Sequence, residues 1–308
     1  MLKLHSVLSL IGFQQIDCNY SVYVYHWGDI KIFLPIHVDD LLLMSNLLAA
    51  LQEVKSDLAA QFSIHNQGPI KLMLGIKIKC NYSTQSISLL QPRYLQSILD
   101  KFNMSDCNPM SMPMEENIKL SVCMCLTDPE GRAAMAKDLY HELIRKLIYL
   151  AVATHPNISY AISVLCQFVE NPGPEHWGTA KHVLHYLKGS IGLKLVYSRS
   201  TSDDHFTYSD ANLSSNPNNC QLTGGFAICI SRAAVQWGSR LQPHISLSSM
   251  ESEYMIASKV ACKIMWMHYL FKEIGYDMMC PSPLLVDNQS ALQVAKHPEH
   301  QSTMKHVH

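Results

Sequence analysis

A carboxylate on the core-facing stripe of a helix constrains this 308-residue chain more than any other feature. From Ser249 to Ile274 the periodicity predicts one long helix, in which Ile256, Ala257 and Val260 follow Glu253 by three, four and seven residues. Those offsets put Glu253 on the apolar face. A buried carboxylate is unfavourable unless it is paired, hydrogen-bonded or bound to a metal. Its neighbour Glu251 has a structural explanation, because Ser248-Ser249-Met250-Glu251 fits a capping box in which the glutamate reaches back to the helix start. The alternative for Glu253 is a partly exposed charge at a helix end.

Two more acids fall at strand ends. Asp210 closes an expected strand from Phe206, and alternation places it on the side of Phe206 and Tyr208, read here as the apolar side. The competing reading is a turn aspartate before Asn212. Asp287 follows Leu284-Leu285-Val286 and precedes a helix expected over Asn288 to Lys296. It can cap that helix, ligate a metal, or do both. Strands over Gly225 to Ile230 and Ala234 to Trp237 lie between the first two acids. The order is therefore strand acid, hairpin, helix acid, strand acid, helix. Carboxylates fixed by separate elements can converge on two Mg²⁺ ions roughly 4 Å apart, the arrangement used for phosphodiester hydrolysis.

The first part of the chain has its own pair of acids. Val22, Val24 and the tyrosines around them alternate up to a turn at Gly28-Asp29, and a strand follows from Ile30 to Val38. A short strand is expected at Leu41 to Met44, then a helix from Ser45 to Phe62 and a strand from Ile70 to Lys79. Pro92 opens a helix that runs to Phe102. Asp39 and Asp40 sit between apolar strands, where tight hairpins favour Asn-Gly or Asp-Gly. Ligation of Mg²⁺ explains the pair better. Pro35 is awkward in a central strand, since it removes a ladder hydrogen bond.

Beyond an irregular segment over Asn103 to Asp138, three amphipathic helices are expected. The first has Leu143, Leu147, Leu150 and Ala151 on one face, and the second Ile158, Ala161, Ile162 and Leu165. The third runs from Pro174 to Lys188. A polar stretch over Ser198 to Asp204 marks a domain boundary.

Composition narrows the classes. Hydrophobic residues make up 48% and charged residues 16%, as expected of folded domains. Net charge is -1, and from His205 onward seven Lys or Arg face seven Asp or Glu. That balance argues against strong non-specific nucleic-acid binding. Ten cysteines form no C-x-x-C pair and read as reduced thiols, which points to an intracellular, cytoplasmic protein rather than a secreted one. No apolar run approaches the roughly 20 residues that span a bilayer.

The same acids lie in recognisable words. Tyr208-Ser209-Asp210-Ala211, Gln242-Pro243, Leu247-Ser248-Ser249-Met250-Glu251-Ser252-Glu253-Tyr254-Met255, Val286-Asp287-Asn288-Gln289-Ser290-Ala291 and Lys305-His306-Val307 resemble the ribonuclease H segment of copia-type retrotransposon Pol polyproteins. His37-Val38-Asp39-Asp40 resembles the catalytic hairpin of their reverse transcriptase, which usually has tyrosine in place of His37. Leu74-Gly75-Ile76, Tyr149 to Thr154 and Asn171 to Trp177 match later parts of the same family.

The resemblance implies an α/β (α+β) chain. A partial reverse transcriptase palm and thumb region (1–102) and a linker with a helical connection region (103–198) would precede a ribonuclease H-like domain with a mixed sheet (205–308). It implies Asp210, Glu253 and Asp287 as metal-binding acids, with Asp39 and Asp40 as an incomplete polymerase pair. The cofactor would be Mg²⁺ or Mn²⁺ and the partner an RNA–DNA hybrid or other nucleic acid, with no membrane. A fourth acid is implied at or just after His308. The family's first polymerase aspartate would precede Met1, so polymerase activity is not expected of this chain alone. Arg145 and Lys146 stand where the family has a small pair, an expected disturbance of helix packing. Three functional classes stay open: a residual ribonuclease, a catalytically silent relic or nucleic-acid binder using Arg145, Lys146, Lys181, Lys188 and Lys194, and a protein-interaction module.

Overall fold

A computed structural model of the chain describes all residues except 1, 116, 132–139, 200–204, 213–217, 220, 244–245, 247, 277, 279–280 and 298–308. The polar boundary stretch therefore lies largely outside the described residues, as do Lys305-His306-Val307 and His308. The structure mixes helices and strands in an α/β arrangement and divides into two compact units. One comprises Met1–Pro69 with Ala261–Cys280, the other Ile70–Val260 with Pro281–His308. Among the described residues no helix is long and apolar enough to cross a membrane.

The first unit is built on a sheet of order β1-β2-β3-β4, with β5 also paired to β3. The strands are β1 (Gln14–Gln15), β2 (Val22–Trp27), β3 (Ile30–His37), β4 (Asp40–Leu41) and β5 (Met44–Ser45). Trp27 pairs with Ile30, so Gly28 and Asp29 form the expected two-residue turn, with Gly28 at φ +58°. Helices α1 (Leu2–Ile11) and α2 (Leu48–Gln61) cover the sheet. Ala50, Val54 and Leu58 recur every fourth residue on α2 and pack with Leu8, Phe13, Tyr23, Ile32 and Leu34. The single strand expected over Leu41 to Met44 is instead two short ones, β4 and β5, each pairing with a different stretch of β3.

The second unit holds a helical core and two four-stranded sheets. Helices α3 (Pro92–Lys101), α4 (Tyr140–Ala153), α5 (Ser159–Cys166) and α6 (Pro174–Gly189) bury the faces expected from their spacing. Leu143, Leu147, Leu150, Ile158, Leu165, Val183, Leu184 and Leu187 meet there. Each such side chain contributes about 1.5–3 kcal/mol when fully buried. Arg145 points to solvent and approaches His141 Nδ1 at 3.2 Å. Lys146 and Lys101 both flank Glu142. The helix still buries Leu143, Leu147 and Leu150: Arg145 is exposed, and half-buried Lys146 rests with its ammonium 5.9 Å from the Tyr94 ring centre.

A buried polar group lies at the end of α4. Thr154 Oγ1 donates to Gln91 Oε1 at 2.8 Å and sits 2.8 Å from His155 Nδ1. His155 is 2% exposed, and burial pulls its pKa from 6.5 down to about 4. A base with a depressed folded pKa contributes stability above pH 6.5, and that stability is lost as pH falls toward 4. Thermal melts from pH 7 to pH 4.5 should thus fall more steeply for the natural chain than for His155→Gln. Equal slopes would remove His155 from the acid response.

The first sheet of this unit has order β6-β7-β8-β9, formed by Leu72–Met73, Ile76–Asn81, Ser86–Leu90 and Leu195–Ser198. The sequence reading missed β8 and β9. The second sheet has order β12-β11-β10-β13, formed by β10 (His205–Asn212), β11 (Thr223–Ile230), β12 (Ala233–Leu241) and β13 (Leu284–Leu285). β13 runs parallel to β10 and the other pairs are antiparallel. Helix α7 (Ser249–Glu273), whose residues up to Val260 belong to this unit, and α8 (Gln289–Lys296) follow, and single 3₁₀ turns lie at Val122–Met124 and Pro156–Ile158. A Cβ on Gly224 would lie 2.9 Å from Ile256 Cδ1, which shows how closely α7 lies on the sheet there.

Candidate metal centre

Backbone register brings two of the acids together. Tyr208 on β10 pairs in parallel with Leu285 on β13. Asp210 stands two residues further along β10, and Asp287 two residues past Leu285, just beyond the end of β13. Strands in a sheet are about 4.8 Å apart, a natural spacing for two carboxylates to share a cation. Both acids are exposed.

The face of β10 that carries Asp210 differs from the expected one. Thr207, Ser209 and Ala211 are buried, while Phe206 and Tyr208 are 41% and 49% exposed. Asp210 thus stands on the open side of the strand, because small residues rather than aromatics fill the inward positions. It also lies within the strand, which continues to Asn212. Asp287 is not the cap of α8. That role belongs to Asn288, whose Oδ1 accepts from Ala291 N at 3.0 Å, and Asp287 is left free of that duty.

Glu253 comes from the first turns of α7 and is 5% exposed, as its place on the helical stripe predicts. Its Oε1 accepts from the Ala211 amide at 2.9 Å, while Oε2 is buried without a hydrogen-bond partner. Burial pushes its pKa from 4.5 up to about 7; the carboxylates of Asp210 and Asp287 push the same way, and the Ala211 amide opposes them. Ligand oxygens of Asp210, Glu253 and Asp287 all lie within 4.8 Å of one another. Three hard oxygen donors of like charge, one with an orphaned buried oxygen, match what a Mg²⁺-type cation demands.

The start of α7 is fixed from both sides. Ser248 Oγ accepts from Glu251 N at 3.2 Å, the serine half of the expected capping box. Gln242, 2% exposed at the end of β12, donates from Nε2 to the Ser252 carbonyl at 3.1 Å and accepts from Ser246 Oγ at 3.2 Å. This glutamine ties the sheet to the residue before Glu253. In the sequence Gln242 stands out only as part of a family word, with no spacing signal of its own.

Asp39 and Asp40 lie in the first unit. Val38 and Asp39 form the turn between β3 and β4, with His37 paired to Asp40. Both aspartates are exposed. Val38 is 81% exposed and adopts φ +54°, a left-handed conformation that is uncommon for a β-branched residue. Among the described residues no further acid gathers with this pair.

Residues 1–116 match the model of the reverse transcriptase (RNA-dependent DNA polymerase) family. The chain is 32% identical over 282 residues to the retrovirus-related Pol polyprotein from transposon TNT 1-94 of Nicotiana tabacum, covering 90% of this chain and 21% of that protein. It is 27% identical over 305 residues to the Pol polyprotein from transposon RE2 of Arabidopsis thaliana, covering 99% and 20%. An uncharacterized mitochondrial protein of Arabidopsis thaliana is 29% identical over 236 residues, covering 76% of this chain and 94% of that one. No solved structure matches. The chain is thus similar along nearly its whole length to the Pol polyproteins of copia-type retrotransposons and spans about a fifth of the length of those it matches.

Proposed function

We propose that this chain carries a metal-dependent nuclease that cuts the RNA strand of RNA–DNA hybrids, with Asp210, Glu253 and Asp287 holding Mg²⁺ or Mn²⁺. The observation that carries the reading is the meeting of three carboxylates from a strand, a helix and a strand end within 4.8 Å. Their order along the chain, with the β10–β11–β12 meander before α7 and a parallel β13 after it, supports a ribonuclease H-like domain over 205–308. Residues 1–102 then correspond to a partial palm and thumb region, and 103–198 to a linker and helical connection region. Asp39 and Asp40 would be the paired ligands of the nucleotidyl-transfer hairpin. With no further acid beside them among the described residues, polymerase chemistry is not assigned to this pair alone.

Within this reading the bound cation would activate a water and stabilise the leaving oxygen. The side chains set the geometry. Asp210 is carried by β10, and Asp287 by the residues just past its parallel partner β13. Glu253 is held by the Ala211 amide on one oxygen, and its other oxygen, buried without a hydrogen-bond partner, is free to take a cation. Gln242 holds the helix turn that carries Glu253.

The test is cleavage of an end-labelled hybrid in Mg²⁺. The natural chain should cut the RNA strand, and Asp210→Asn should lose about a hundredfold or more, roughly 3 kcal/mol of transition-state stabilisation. Equal signal from both proteins would identify a contaminating nuclease and end the assignment.

A further inference from the structure

The groove next to Asp210 has a chemistry of its own. Direct pairing puts Asp210, Gly225 and Ser239 in one row across β10, β11 and β12, and Tyr208, Ala227 and Trp237 in the next. Residues paired directly across antiparallel strands project from the same face. The floor beside Asp210 is therefore made of small residues, Gly225 and Ala227, with the Trp237 indole rising at its edge. Trp237 is fixed in place by its Nε1, which donates to the Ala151 carbonyl at 2.7 Å. The groove is lined as well by Asn157, just before α5, and by Ser159 and Tyr160 of its first turn, the last 41% exposed. The groove encloses about 320 Å³.

Its charge decides what fits. Among the described residues no lysine or arginine lines it, and its one charged group is the Asp210 carboxylate. A phosphate would be repelled there. An uncharged, flat, π-bearing group is favoured, since aromatic side chains stack bases without regard to sequence. Asn157 and Ser159 offer amide and hydroxyl partners for the polar edge of such a group.

We propose that this groove holds one unpaired nucleoside of the strand being cut, stacked between Tyr160 and Trp237 next to the phosphate presented to the acids. The proposal rests on the nuclease reading above and gives it a substrate preference. Hybrids with a single-stranded RNA tail or a frayed junction should be favoured over blunt, fully paired ones, because a paired base would first have to leave its stack at a cost of a few kcal/mol. It also makes the segment before the nuclease sheet part of the substrate site.

The experiment uses the full chain in EDTA, where no cleavage occurs, and an RNA–DNA hybrid with a single-stranded RNA tail bearing 2-aminopurine at its first unpaired position. The natural chain and Tyr160→Phe should quench the fluorophore on binding. Tyr160→Ala should weaken binding about tenfold, the equivalent of roughly 1.4 kcal/mol of lost stacking. A blunt hybrid should bind all three proteins alike. Tyr160-dependent binding without any cleavage in Mg²⁺ would support the groove while removing the nuclease reading. Cleavage with the same tailed-hybrid affinity for Tyr160→Ala as for the natural chain would do the reverse. Failure of the natural chain to bind the tailed hybrid would overturn the proposal, as would quenching confined to a fluorophore placed in the DNA strand.

Discussion

Replacing Glu253 with glutamine should raise the melting temperature of the metal-free protein while abolishing metal binding and cleavage. Glu253 is a buried carboxylate facing two others, and its pKa is driven from 4.5 up to about 7 by burial first and by Asp210 and Asp287 second. The sign follows from proton counting. Between pH 4.5 and 7 the folded state holds a proton that the unfolded state releases, so stability falls as pH rises through this window. Above it the ionised group costs the fold at most about 3 kcal/mol. Glutamine keeps the size and can still accept from the Ala211 amide, but it carries no charge. At pH 8 the variant should melt several degrees higher than the natural chain, since 1 kcal/mol corresponds to about 2–4 °C in a unit of this size. At pH 4.5 the difference should vanish. Added Mg²⁺ should raise the melting temperature of the natural chain at pH 8 and leave the variant unchanged. A natural chain indifferent to both pH and Mg²⁺ would contradict the metal-centre reading at its root.

A second substitution should act on the fold alone. Gly173 precedes α6 in an extended conformation that any residue can adopt, with φ -109° and ψ 177°. Its requirement is space. A Cβ at Gly173 would collide with the backbone carbonyl oxygen of Met124, which cannot rotate away as a side chain would. The same residue donates its amide to His176 Nδ1 at 2.8 Å, so moving the backbone also breaks a buried hydrogen bond. Gly173→Ala should therefore destabilise the second unit by about 3 kcal/mol or more, beyond ordinary overpacking. Gly178, inside α6, has nothing within 4 Å of an added Cβ. Gly178→Ala should instead stabilise by about 1 kcal/mol through helix propensity. Denaturant unfolding of the two variants reads both signs in one experiment. A Gly173→Ala protein as stable as the natural chain would mean that the Met124 segment gives way.

The helices were legible because their information is local. Leu143, Leu147 and Leu150 on α4, and Glu253 with Ile256 and Val260 on α7, declare their buried faces by spacing alone. Of the five candidate acids, Asp210, Glu253 and Asp287 come together, while among the described residues no third acid joins Asp39 and Asp40. What the sequence could not give was pairing. β8 finds a partner in Leu195–Ser198, more than a hundred residues later, and nothing in either segment names the other. The open face of Asp210 was misread because alternation says which residues share a side but not which side is covered. Phe206 and Tyr208 looked like core, whereas Thr207, Ser209 and Ala211 leave the room that helix packing needs. At Asp287 the sequence offered two neighbouring caps, and the hydrogen bond went to Asn288. The groove wall at Tyr160 and Trp237 joins residues far apart in the chain, which no short pattern could bring together.

The neighbouring placement of residues 210 and 287 has an evolutionary corollary. Their approach depends on the main-chain pairing of β10 with β13, which tolerates wide drift in the surrounding side chains. Yet the strand that leads to the second of them makes only two paired positions, Leu284 and Leu285, and Asp287 lies beyond its end. One inserted or deleted residue between Leu285 and Asp287 would displace that carboxylate from its place beside Asp210 and Glu253. Such an indel could silence a copy of the element with every acid still present in its sequence, and a census of acids alone would count that copy as intact.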